Sequence, residues 1–242
     1  MCARYTLTAE DKEILKAHPL KGLEGYRPDP NIAITDKGLI ITSDEPDRIQ
    51  HMHFGIVPYN ATSNKLSFDT WNIRSEEVME KKTYKPLMIN RKTCLIISDG
   101  FIEWKEEADG KDPYHFTLLG RKEKTFCFAG LWSQWMDPET NEPYRTYGIM
   151  TTVSNETVGR VHTKKRMPVI LPRNQELKWL DKNKSIDELL AMCVPYPDSL
   201  MIATKLKRDI NAVSTKKKPN KGIDLLKPLN TDEEPKQGDL GL

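Results

Sequence analysis

Cys2 is the residue of this sequence with the widest chemical reach. A residue this small behind an initiator methionine permits removal of Met1, which leaves a free α-amine and a thiol on one carbon framework. An α-amine titrates near ~7.7–8.0, so a useful fraction is an uncharged nucleophile at neutral pH. With an aldehyde it forms a Schiff base, the thiol adds to the imine carbon, and a five-membered thiazolidine closes. Position alone does not distinguish this from an incidental second residue. Cys94, Cys127 and Cys193 stand far apart with no CxxC pair, which argues against a structural zinc site or a disulfide framework. Cys94 in TCLIIS, Cys127 in FCFAG and Cys193 behind LLAM read as small buried apolar residues. His51 and His53 alternate in HMH without a third ligand and read as surface residues, while His18 and His115 belong to no motif. No metal and no cofactor are expected.

Four segments in order give Cys2 a context: MCARY at the start, WNIRSE at 71–76, CLIISDGFIEWK at 94–105 and TTVSNETVGRVHTKKRMPVIL at 151–171. Together they resemble the SRAP family, the SOS response-associated peptidases also known as abasic-site processing proteins. That family opens MCGRY and carries an Asn-Ala-Arg-x-Glu segment and a cysteine-led strand ending in GFYEW. A TT-x-AN region follows, with histidine, arginine, Met-Pro and an apolar strand behind it. The resemblance runs from residue 1 to about 172, and NAVSTKKKPNKGIDLLKPL is a weaker match to the family's closing segment. There are departures. Ala3 replaces a glycine, Thr163, Lys164 and Lys165 lengthen the gap between His162 and Arg166, and FGIVPYN stands where a Trp-Gly loop is common.

The resemblance implies roles, position by position. Cys2 matches the nucleophile. Asn72 matches the asparagine that holds the N-terminal cysteine and a sugar oxygen, and its amide donates and accepts at once. Its alternative is a helix cap, for which Ser75 is better placed. Glu103 matches the acid/base glutamate. Between Ile102 and Trp104, partial burial would raise its pKa towards neutrality and suit it to move protons. The alternative is an outward-facing carboxylate paired with Lys105. His162 matches a histidine that steadies the ring-opened sugar or assists reversal, titrating near working pH. Arg4 and Arg74 match arginines on the DNA backbone, with Arg166 added, because a planar guanidinium grips two phosphate oxygens. Trp71, Trp104 and Trp132 read as packing residues.

These residues must be positioned by a globular chain. Of its 242 residues, 38% are hydrophobic and 30% charged, with apolar runs along most of the length, which excludes a disordered polypeptide. No apolar stretch approaches the ~20 residues that span a bilayer, and no basic-then-apolar leader opens the chain; a cytoplasmic protein, nucleoid-associated on damaged DNA, is expected. Net charge is only +2 but is clustered: 81–92 and 160–173 each hold five basic residues, 216–221 holds four lysines, and the last twelve residues hold four acids. Such blocks form either a phosphate-tracking groove or ordinary solvated faces.

Strands are expected at GLIIT, HMHFGIV, TCLIIS, PYHFTLL, TFCFAGLW, YGIMTTV, MPVIL and SLMIAT. Helices are expected at AEDKEILKAH behind Thr8 as cap, with Asp11 at the third position, and at SEEVMEKK, NQELKWL and SIDELLAM. Ser185 and Glu188 make a capping box for the last. Many short strands with few helices predict an α+β fold, one domain over 1–230 on a curved or sandwiched, mainly antiparallel sheet, then a flexible acidic tail over 231–242. The expected function is capture of abasic sites in single-stranded DNA by a monomer as a Cys2 thiazolidine, with autocatalytic Met1 removal and an AP-lyase side reaction. Two alternatives remain: a cysteine-dependent peptidase or amidase, which needs an oxyanion hole, and a non-catalytic single-strand-binding module.

Overall fold

The computed structural model describes residues 2–66, 69–212 and 219–229, so Met1, lysines 216–218 and the acidic tail lie outside the described residues. The apolar runs become strands. In chain order these are β1 (Arg4–Leu7), β2 (Asp29–Ala33), β3 (Lys37–Thr42), β4 (Gln50–Phe54), β5 (Asn72–Arg74), β6 (Thr93–Ser98) and β7 (Gly100–Glu107). The remainder are β8 (Gly110–Leu118), β9 (Phe126–Met136), β10 (Pro143–Val153), β11 (Arg166–Pro168), β12 (Ile170–Leu171) and β13 (Met201–Lys205). One sheet runs β13-β8-β7-β1-β2. In the other, β10-β4-β3-β6-β9 closes on itself because β9 also pairs with β10, and the ring is a small barrel. Among the described strands β4–β10 and β5–β10 pair in parallel and the others antiparallel, and an isolated parallel bridge joins Lys21 to Arg48. The architecture is the α+β, mainly antiparallel single domain that the sequence predicts.

Aromatic side chains fill the barrel and reach across to the open sheet. Phe54 stacks on Tyr147 at 5.2 Å. Tyr5 enters from β1, meets Phe54 and Phe128 edge-on, and shares a 2.6 Å hydrogen bond between its hydroxyl and that of Tyr147. Both tyrosines are fully buried, and the pairing satisfies two hydroxyls that would otherwise be costly inside. A second tie comes from Asp99, which accepts from Thr6 Oγ1 at 2.6 Å and from Thr8 Oγ1 at 2.7 Å. The strand that begins beside Cys2 is therefore bolted to both sheets. Gly38 on β3 makes the tyrosine pair possible: an added Cβ would lie 2.0 Å from the Tyr5 hydroxyl and 2.4 Å from that of Tyr147. Gly38→Ala is expected to cost about 2–3 kcal/mol by overpacking, read as a lower denaturant midpoint at unchanged slope.

The helices are α1 (Asp11–Ala17), α2 (Lys85–Ile89), α3 (Glu156–Gly159), α4 (Arg173–Leu180) and α5 (Ile186–Leu190). The Ser185–Glu188 capping box is present. At α1 the cap differs from expectation: Glu10 precedes the helix and its backbone N–H donates to Glu13. Thr8 does not cap because Asp99 has claimed its hydroxyl. SEEVMEKK forms only a 3-10 turn at Ser75–Glu77. With just Val78 and Met79 apolar, it lacks the stripe that holds a longer helix on a core. Two short helices went unforeseen, α2 with Pro86 in its first turn and α3 capped by the Asn155 side chain.

Candidate active site

Cys2 precedes β1 and is almost wholly buried. Its thiol donates to the Arg4 carbonyl at 3.3 Å, and burial, followed by the charge of Glu103, pushes its pKa well up. The thiol is thus kept protonated until a base takes its proton. Asn72 opens β5, which hydrogen-bonds along the end of β10, and its amide nitrogen donates to the Cys2 carbonyl at 3.0 Å. Its Oδ1 is buried with no partner among the described residues. An acceptor is held ready beside Cys2.

Glu103 comes from the other sheet. β1 pairs with β7 so that Arg4 faces Ile102, and continuing this register by one residue sets Glu103 opposite Ala3. Its side chain is 2% exposed, and desolvation pushes its pKa up to about 7. His162 follows α3 and sets Nε2 3.6 Å from Glu103 Oε2. Burial pulls its pKa down to about 4. With those two values the imidazole is neutral at pH 7 while the carboxyl is poised between its protonated and ionised forms, so the contact is not an ion pair. Nδ1 lies 3.0 Å from the Arg166 carbonyl. The Arg166 N–H is farther from Nδ1, at 3.3 Å, so a proton on Nδ1 serves the shorter contact to the carbonyl and leaves Nε2 as an acceptor facing Glu103.

The arginines divide. Arg74 ends β5, is half-exposed and donates to Glu77 at 2.7 Å. Arg166 opens β11, and its two terminal nitrogens hold both oxygens of Glu76 at 3.0 and 2.9 Å. It also donates to the Thr151 carbonyl at 2.7 Å. Only 11% of its side chain is exposed. The extra residues after His162 are absorbed by a turn in which Lys165 adopts φ 50° and donates to the Gly159 carbonyl, so the chain still returns to β10 on time. Arg4 points elsewhere: its guanidinium is buried, donating to Asn31 Oδ1 at 2.8 Å and the Ile210 carbonyl at 2.9 Å. The structure thus gathers Cys2, Asn72, Glu103 and His162 where the two sheets meet, sets Arg74 and Arg166 two strands apart beside them, and anchors Arg4 towards 208–212. Lys92, in the 81–92 cluster, is engaged with Asp44 at 2.5 Å and lies over the Trp132 ring. Trp132 is buried, and Trp71 and Trp104 pack at the edges of the core.

Sequence reasoning missed Glu76 as the clamp on Arg166. It stands in WNIRSE, but only the threading of β10 between β5 and β11 brings it to an arginine ninety positions away.

The profile of the SOS response associated peptidase (SRAP) family matches residues 1–213. Abasic site processing protein YoqW of Bacillus subtilis is 32% identical over 217 residues, covering 88% of this chain and 95% of the relative. Abasic site processing protein HMCES of Gallus gallus is 30% identical over 64% of this chain and 54% of its own length. Among solved structures, a protein from Bacteroides thetaiotaomicron superposes with a TM-score of 0.77 at 24% identity, covering 88% of this chain and 95% of that one.

Proposed function

Since the chain belongs to the SRAP family, we propose that it processes abasic sites in single-stranded DNA by capturing the ring-opened sugar on Cys2. The observation that carries this reading is the buried carboxyl of Glu103, set close enough to raise the pKa of the Cys2 thiol, beside a cysteine whose carbonyl is held by Asn72. Once Met1 has been hydrolysed away, the amine adds to the C1 aldehyde to give a carbinolamine. The Glu103 carboxyl donates its proton to the departing hydroxyl and one water leaves. The resulting carboxylate then takes the thiol proton as sulfur bonds to C1 and the thiazolidine closes. The cycle returns Glu103 to its protonated form, with one water lost overall.

Asn72 Oδ1 is the acceptor for the amine or the sugar hydroxyl during these steps, and neutral His162 keeps the carboxyl oriented through Nε2. The Schiff base acidifies the neighbouring carbon, so β-elimination of the 3′ phosphate is an accessible side reaction. The same carboxyl is our candidate for activating the water that removes Met1. The protein acts as a monomer in the cytoplasm, at the nucleoid when damage is present.

An oligonucleotide with one abasic site should form an adduct that survives denaturing electrophoresis, whereas an intact oligonucleotide should bind weakly and lose binding with salt. Identical behaviour of the two would remove the covalent reading. Arg74 is the exposed cation nearest Asn72 in sequence and, among the described residues, is held by Glu77. Arg74→Ala is expected to weaken binding evenly across sequences and to reduce the slope of log affinity against log salt by about one. Arg166→Ala is expected to spare that slope, because its guanidinium is spent on Glu76 and Thr151, and to slow adduct formation through the loosened His162. Salt titrations of both variants by fluorescence anisotropy separate these outcomes.

A further inference from the structure

Three elements far apart in sequence bring metal-ligand atoms together in a buried cluster that shares no residue with the site around Cys2. His18 follows α1, Cys127 lies on β9 and Glu176 lies in the first turn of α4. One donor atom of each lies within 4.8 Å of the other two. Cys127 Sγ is 3.6 Å from His18 Nε2. That is the S···N edge of a tetrahedron with Zn–S of about 2.3 Å and Zn–N of about 2.0–2.1 Å, which comes to about 3.6 Å. All three side chains are at least nine-tenths buried, and Glu176 Oε1 has no hydrogen-bond partner among the described residues. His18 and Glu176 line a cavity of about 220 Å³ with Arg173 and Leu177, both of which reach solvent, so a path to water exists.

Arg173 explains how the cluster is stable without a metal. Its guanidinium lies 3.1 and 3.2 Å from the two ring nitrogens of His18 and contacts Glu176 Oε2 and the Ala17 carbonyl. A guanidinium only donates, and one of its nitrogens, equally close to both ring nitrogens, stands in the space a metal on His18 would need. The side chain is 46% exposed and can leave towards water.

We propose that His18, Cys127 and Glu176 bind one divalent ion of the zinc class, with Arg173 as the displaceable cation that holds the cluster when the metal is away. Binding forms bonds to one His18 nitrogen, the Cys127 sulfur and a Glu176 oxygen, with water in the fourth position. The Cys127 thiol proton passes to solvent and the guanidinium moves out. The ion would tie α1 to β9 and α4, and because the pre-formed site exists only in the folded chain, its binding energy would add to stability.

The test is a cobalt(II) titration of the full chain carrying Cys2→Ser, so that the N-terminal thiol contributes no signal. The expected result is a thiolate-to-cobalt charge-transfer band in the near ultraviolet that saturates at one ion per chain and is bleached by zinc. Cys127→Ser should abolish the band, whereas Cys94→Ser should leave it. Arg173→Gln should tighten cobalt binding by at least tenfold, since it removes the competing cation. A titration with no thiolate band, or a band that survives Cys127→Ser, would overturn the site. Unchanged affinity in Arg173→Gln would overturn the role of Arg173 as competitor. The parent titration requires no substitution within the cluster, so its outcome decides the site even where a cluster variant fails to fold.

Discussion

A chain with one residue inserted between Met1 and Cys2 is expected to bind abasic single-stranded DNA and to yield no stable adduct. The nitrogen of Cys2 is then an amide, with its lone pair delocalised into the preceding carbonyl. It cannot form a Schiff base, and the buried thiol alone could give only a reversible hemithioacetal. Processed Cys2→Ser is the informative companion. It keeps the amine and should give an imine that borohydride traps, but its oxazolidine should not survive denaturation. Mass spectra of these two proteins and the processed parent, reacted side by side, read all these outcomes. A stable adduct on the inserted chain would show that the α-amine is not the nucleophile.

Glu103→Gln should slow adduct formation by roughly 10²-fold or more while sparing DNA affinity, the usual consequence of losing a general acid/base. Stability provides an independent readout. A carboxyl whose pKa rises from 4.5 in the unfolded chain to about 7 in the fold contributes stability that is fully present below pH 4.5 and is lost as pH rises through about 7. Glutamine does not ionise. The variant should therefore be more stable than the parent at pH 8, by about 3 kcal/mol at most, with the gain vanishing at pH 4.5. His162 works in the opposite sense: its lowered pKa contributes stability above 6.5 that is lost as pH falls through about 4. Denaturant titrations across pH 4–8, beside single-turnover rates, check both halves. Equal rates for parent and Glu103→Gln would remove Glu103 from the chemistry, and a pH-independent stability difference would contradict its buried protonation.

Strands were legible where apolar and β-branched residues ran together, as in TCLIIS and TFCFAGLW, because burial on a pleated surface writes that pattern locally. The closure of β9 on β10 was not legible, since no single segment encodes which strands meet. β1 and β2 were also missed: RYTL and DPNIA are short, and what holds them is distant in sequence, the Tyr5–Tyr147 pair and Asp99 for β1, and β1 itself with Lys221 for β2. Among the candidate site residues, Cys2, Asn72, Glu103 and His162 were singled out from motifs, and the structure brings them together. The arginines show what a motif omits. Nothing in RYT announces that Asn31 and Ile210 surround Arg4, and nothing in KKRMP announces Glu76. Charge read along a chain does not say which cations the fold has already engaged. His18 is a similar case: it stands outside every motif, yet it lies buried against Cys127 and Arg173.

Both the α-amine and the thiol of Cys2 should end bonded to one carbon of the abasic sugar. Intact mass followed by peptide mapping of the adduct, with and without borohydride, tests this most directly. The predicted product has the mass of the Met1-free chain plus the abasic oligonucleotide minus one water, maps to Cys2, and is unchanged by borohydride. A product that retains Met1, maps to a lysine, or gains two hydrogens on reduction would contradict it.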